Sequence, residues 1–159
     1  MRKIDYLFTE YGESHQDATN KTIHWICVPL IFFSIVGLIA SIPATPVQQF
    51  LGEGNVYAHW GTVLLIPVIV YYVTLSIPLS IGMMLFSAAC LALVNVIIRL
   101  NVGPLWAVCI GIFVLAWIGQ FYGHKIEGKK PSFLKDIQFL LIGPAWLMHF
   151  IYKKIGIPY

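Results

Sequence analysis

Two short polar segments in an otherwise apolar chain hold most of the side chains able to do chemistry. The first reads Tyr11-Gly12-Glu13-Ser14-His15-Gln16-Asp17-Ala18-Thr19-Asn20-Lys21-Thr22-Ile23-His24. The second runs Trp117-Ile118-Gly119-Gln120-Phe121-Tyr122-Gly123-His124-Lys125-Ile126-Glu127 and continues into Gly128-Lys129-Lys130-Pro131. On a helix Asn20 and His24 share a face, as do Gln120, His124 and Glu127 at steps of four and three. His15 lies nine residues before His24, half a turn out of phase. The two rings therefore meet only if the helix breaks between them, and Asp17 or Thr19 as an N-cap would supply the break. Three neutral imidazoles, His15, His24 and His124, suit zinc, iron, copper or nickel. Asn20, Gln120 and Glu127 could fix the imidazole tautomers from behind. The plainer alternatives are histidines that merely sit at a membrane interface and a Glu127 paired with a neighbouring lysine.

These segments need elements that bring them together. Of the 159 residues, 58% are hydrophobic and 11% charged, against about 25% charged in soluble domains. The mean hydropathy is +0.80. No Asp, Glu, Lys or Arg occurs from Thr22 to Gly52, from Gly54 to Ile98, from Leu100 to His124 or from Ile137 to Tyr152. A spanning helix takes about 20 apolar residues, so the first and third runs hold one each and the second holds two. The expected fold is all-α, an integral membrane bundle of about four transmembrane helices in a single domain over residues 1–159. A polar helical segment covers about 1–22, and the spans run roughly Trp25 to Ile42, His59 to Leu75, Ile81 to Ile98 and Leu105 to Tyr122. Pro43, Pro46 and Gln48 to Asn55 read as a loop, Ser76-Ile77-Pro78-Leu79-Ser80 as a break, and Arg99 to Pro104 as a turn. Pro67 falls inside the second span. Residues 123–159 form a basic loop and a tail. Its apolar run is too short to span comfortably and is interrupted at Gly143-Pro144, so an interfacial or re-entrant helix pair is expected, with a fifth span as the alternative.

Charge sets the orientation. Nine of the ten Lys and Arg residues flank the first or the last span, Lys135 among them, and only Arg99 lies elsewhere. Basic residues favour the cytoplasmic side, and four crossings let both clusters obey together, with both termini cytoplasmic. The two histidine segments then share one bilayer surface. His59 falls on the opposite surface, about 30 Å away, and His149 in the tail is a further candidate ligand on the correct side. Asp5, Glu10, Glu13 and Asp17 stand where a signal peptide would be apolar, so the first span is expected to double as targeting signal. Cys27, Cys90 and Cys109 lie in apolar runs with no CxxC, which reads as packing. No basic stripe with aromatics suggests nucleic acid. Phosphate-binding loops, nucleophile elbows and HExxH are absent, and no acidic residue in a span suggests a proton-coupled transporter.

At its two polar segments the chain resembles the membrane dioxygenases of 2-hydroxy fatty acids. The matching residues are Tyr11, His15, Asn20, His24 and Val28-Pro29, then Trp117, Ile118, Gln120, Phe121, Gly123, His124, Lys129, Lys130, Pro131 and Asp136. Glu127 follows His124 by three residues where the family has four. The resemblance covers essentially the whole chain, Gly143-Pro144 included. It implies an Fe(II)-dependent dioxygenase that shortens 2-hydroxy fatty acids by one carbon, with O2 as co-substrate, at the cytoplasmic surface of a lipid bilayer. A bacterial inner membrane is expected ahead of the endoplasmic reticulum. The implied metal ligands are His15, His24 and His124, supported by Asn20, Gln120 and Glu127. Lys125, Lys129, Lys130 and Tyr11 are the expected substrate contacts. Other readings are a non-enzymatic lipid-binding or scaffold protein and a small bis-histidine haem protein.

Overall fold

The computed structural model describes residues 2–131 and 137–159; Lys135 and Asp136 lie outside the described residues. Among these it holds helices α1 (Lys3–Gly12), α2 (Ala18–Ala40), α3 (Thr45–Leu51), α4 (Trp60–Leu75), α5 (Ile77–Leu100), α6 (Leu105–Glu127) and α7 (Phe139–Ile155), and no strand. Helix α1 buries Ile4, Leu7, Phe8 and Tyr11. These steps of three and four make one apolar stripe, which packs on α7. The chain then leaves the helix. Asp17 is extended and its carboxylate accepts from the N–H groups of Thr19 and Asn20 at 2.8 and 2.9 Å. That cap starts α2, so residues from Ala18 onward belong to the long apolar helix rather than to the polar segment.

Helix α2 is the axis of the bundle and touches α4, α5, α6 and α7. It meets α6 antiparallel along small residues. A Cβ on Gly123 would come 2.4 Å from Asn20 Oδ1, one on Gly119 2.6 Å from Cys27 Sγ, and one on Gly37 2.3 Å from Cys109 Sγ. Small side chains at such spacing let helix backbones approach closely. The three cysteines are free and buried. Gly61 of α4 packs on Val36 and Ala40, at the far end of α2 from His24. Helix α5 brings Val94 to the Cys109 end of the bundle and Leu79 and Met83 to α7. Helices α2, α4, α5 and α6 therefore alternate in direction. Three of them, α2, α5 and α6, are long and apolar enough to cross a membrane. Helix α4 has 16 residues, about 24 Å at 1.5 Å per residue.

Three expectations need correcting. The loop after the first span contains a helix, α3, because Pro46 stands in its first turn, where no N–H is needed. The break before α5 is Ser76 alone, whose hydroxyl accepts from Leu79 N–H at 3.3 Å. Pro78 sits in the first turn, so α5 begins four residues before Ile81. The tail is not a helix pair, because α7 runs unbroken through Gly143-Pro144. Pro144 leaves the Leu140 carbonyl without its helical donor, and next to it the Tyr72 hydroxyl donates to the Leu141 carbonyl at 2.7 Å. The favour is returned lower down. The Tyr152 hydroxyl accepts from Gly82 N–H at 3.0 Å and donates to the Pro78 carbonyl at 2.8 Å, entering the ladder of α5 where Gly82 leaves room. Helix α7 is thus packed into the bundle, with Phe139, Ile142, Ala145, Trp146 and Leu147 buried.

Candidate metal centre

Three elements each deliver one ring. His15 comes from the segment between α1 and α2, His24 from the second turn of α2, and His124 from the last turn of α6. All three are at most 4% exposed. Ring centres stand 4.2 Å apart for His15–His24, 5.0 Å for His15–His124 and 4.9 Å for His24–His124. One ring nitrogen from each lies within 4.8 Å of the others. Around a single ion, with metal–nitrogen bonds of about 2.1 Å, three imidazole centres would stand roughly 4.5–5 Å apart.

The proton positions follow from the partners. His15 Nδ1 lies 2.6 Å from the Tyr11 carbonyl and His24 Nδ1 2.8 Å from the Asn20 carbonyl. A carbonyl only accepts, so each ring carries its proton on Nδ1 and a lone pair on Nε2. Both Nε2 atoms are buried without a hydrogen-bond partner, and so is His124 Nδ1. A buried polar atom left unpaired costs about 1–3 kcal/mol. Three such nitrogens on rings clustered this closely suit a shared cation. A metal-binding imidazole typically donates its other N–H to a backbone carbonyl or carboxylate in this way. Burial, against the pull of the Tyr11 carbonyl, pushes the His15 imidazole from 6.5 down to about 4. The ring is therefore neutral at ordinary pH, as a ligand must be.

Glu127 stands behind the rings and is already engaged. Its Oε1 accepts from Gln16 N–H at 2.9 Å, and its Oε2 from Asp17 N–H at 2.8 Å and Asn20 Nδ2 at 3.2 Å. The carboxylate ties the end of α6 to the segment that carries His15. Asn20 Nδ2 also donates to the Ser14 carbonyl at 3.1 Å, and Lys129 Nζ to the Glu13 carbonyl at 2.6 Å. Gln120 is buried and lines a cavity of about 30 Å³ with Tyr11, His15 and His124. Lys125, Lys129 and Lys130 are exposed and do not line it. His59 is far from the cluster and caps α4, its Nδ1 accepting from Thr62 N–H at 3.3 Å. His149 is turned to another group, stacked on Phe8 at 5.0 Å with Nδ1 donating to the Trp146 carbonyl at 2.6 Å.

Some contributors are invisible in the spacing. Trp146 packs 5.4 Å from His15 and 5.3 Å from Tyr11, and Tyr11 stacks on His15 at 4.1 Å. Phe139, Leu140 and Gly143 of α7 complete the cavity wall. A Cβ on Gly143 would stand 2.9 Å from the Tyr11 hydroxyl, so this glycine keeps the Tyr11 ring in place. The only signal for it in the sequence was the Gly143-Pro144 pair.

A helical bundle with three helices long and apolar enough to cross a membrane and a buried cluster of three histidines at one end defines a class of candidate membrane metalloproteins. The chain belongs to the Mpo1-like family, described as 2-hydroxy-palmitic acid dioxygenase Mpo1-like, whose profile matches residues 1–155. It is similar to the 2-hydroxy-palmitic acid dioxygenase MPO1 of Saccharomyces cerevisiae, at 27% identity over 155 residues, covering 92% of this chain and 78% of the yeast protein. No solved structure matches it.

Proposed function

We propose that this protein is a non-haem Fe(II) dioxygenase that shortens 2-hydroxy fatty acids by one carbon at the cytoplasmic face of a membrane. The observation that carries the reading is the cluster of three buried imidazoles, each with an unpaired ring nitrogen. The family and the yeast relative's name support the substrate class. His15, His24 and His124 would hold the ion. All three donors are neutral, so the ion keeps its full charge for an anionic substrate. A ferrous ion bound there would supply the oxygen activation that side chains alone lack.

The conversion balances without a further reductant. A 2-hydroxy acid and O2 give the acid one carbon shorter, carbon dioxide and water: the C1–C2 bond breaks, and C2 becomes the new carboxyl carbon. The chain's own part is to position and to exclude water. Tyr11, Val28 and Phe139 wall the small cavity, and the Gln120 amide and the Tyr11 hydroxyl are polar groups among its lining residues able to donate to a carboxylate. The exposed Lys125 and Lys130 raise the local concentration of fatty acid anions at the head-group level. Counting α4 as a crossing puts both termini on one side, and the basic residues flanking the first and last spans favour the cytoplasm for it. The haem reading loses ground on space, because rings 4.2–5.0 Å apart beside a cavity of about 30 Å³ leave no slot for a porphyrin.

The test is anaerobic reconstitution with Fe(II), followed by oxygen and 2-hydroxypalmitic acid, with mass spectrometry of the products. The acid one carbon shorter is expected. A folded protein that retains no iron and makes no product would favour a lipid-binding role and sink the proposal.

A further inference from the structure

The histidine cavity has an apolar neighbour that the chemistry above does not use. Ile31 and Leu140 line both spaces. Beyond them a cleft of about 410 Å³ runs between α2, α4 and the start of α7, almost wholly apolar. On α2 it reaches Val36, twelve residues past His24, which is about 18 Å at 1.5 Å per residue, the reach of roughly fourteen extended methylenes. At the far end Leu64 faces two ways. It also lines a second apolar groove of about 400 Å³, with Ile39, Val63 and Pro67. Leu64 is the partition between the two.

We propose that the α2–α4 cleft takes the substrate's acyl chain, methyl end toward Leu64, and that the Leu64 side chain sets the longest chain accommodated. The inference rests on the 2-hydroxy acid reading of the histidine site. A bilayer lipid is the competing occupant. The shared wall favours the substrate, because the cleft adjoins the histidines and the roughly 30 Å³ of space beside them is far too small for a phospholipid head group. Each methylene buried in the cleft should tighten binding about fourfold, up to the length at which the chain meets Leu64.

Two measurements test this. The first is competition among saturated 2-hydroxy acids of graded length, using the wild type, Leu64→Ala and Leu64→Phe. The second is photolabelling of the wild type with a fatty acid carrying a diazirine at its methyl end, followed by peptide mapping. Leu64→Ala should shift the preferred length upward by roughly three carbons, the side-chain volume it removes, and Leu64→Phe should shift it downward. The label should fall on α4 and be displaced by 2-hydroxypalmitic acid. An unchanged preference in both variants, with an active wild type, overturns the cleft assignment and leaves the dioxygenase reading standing. So does label absent from α4, or label on α4 displaced by phosphatidylcholine but not by the hydroxy acid. If the wild type converts no chain length, yet the hydroxy acid displaces the α4 label, the cleft stands and the proposed reaction falls.

Discussion

An imidazole that donates its Nδ1 proton to the carbonyl four residues back has little freedom left, and its other nitrogen is aimed for it. His15 and His24 are both held this way, and His124 Nδ1 is buried beside them without a partner, so alanine at His24 or His124 should abolish iron retention. His59→Ala should keep it, because that ring caps α4 at the opposite end of the bundle. Metal analysis of the detergent-purified variants decides, and equal loss from all three would draw His59 into the site. Glu127 acts through the backbone it grips. Glu127→Ala should weaken iron binding by about 10–100-fold, and Glu127→Gln, which keeps one acceptor oxygen, by less. A change in affinity with unchanged reaction products identifies this as positioning. The metal-free protein should also lose stability in acid. His15 has its imidazole pushed from 6.5 down to about 4, so between those values the unfolded chain binds a proton that the folded one refuses. Stability is fully present above pH 6.5 and falls as pH drops toward 4. Thermal melts across that range should show the slope, reduced in His15→Phe.

The pairing of α2 with α6 decides whether the three rings converge at all. Gly123 lies against Asn20 with no room for a Cβ, so Gly123→Ala should cost about 1–3 kcal/mol of stability by overpacking and displace the Asn20 amide from Glu127. Gly111, on the same helix with open space around it, is the control. Gly111→Ala should be neutral or gain up to about 1 kcal/mol from helix propensity. Detergent melting curves and iron content separate the two. Much of this was open to reading. The charge-free runs marked α2, α5 and α6, and the half-turn offset of His15 and His24 demanded a cap such as Asp17. What escaped was tertiary. Gly143-Pro144 breaks an isolated helix, but hydroxyls from Tyr72 and Tyr152 and close packing on Tyr11 hold α7 in the bundle. With α7 assigned to the surface, Trp146 could not be placed beside His15. Glu127 seemed a partner for histidine or lysine, and no spacing rule shows that its oxygens turn to the Gln16 and Asp17 N–H groups.

For the molecule as a whole, four helices of alternating direction put Gly54 and Asn101 at one end and Lys3 and Lys130 at the other. The native cysteines are buried, so single cysteines introduced at these positions report sidedness cleanly. Gly54→Cys and Asn101→Cys should react with an impermeant maleimide from outside an intact cell, and Lys3→Cys and Lys130→Cys only after lysis. If Gly54 and Asn101 fall on different sides, α4 does not cross. The unpaired nitrogens of His15, His24 and His124 have a consequence beyond chemistry. A metal held by them, as proposed, would make the empty protein the less stable form, with the first few residues of α2 and the end of α6 as its weak point. Membrane proteases sample such local openings and remove chains that open often. On the proposed metal binding, the amount of this protein in a cell would be governed by metal supply as well as by its gene. Iron starvation should shorten its half-life at constant transcript level, and an asparagine in place of each histidine should leave it short-lived whatever the iron supply.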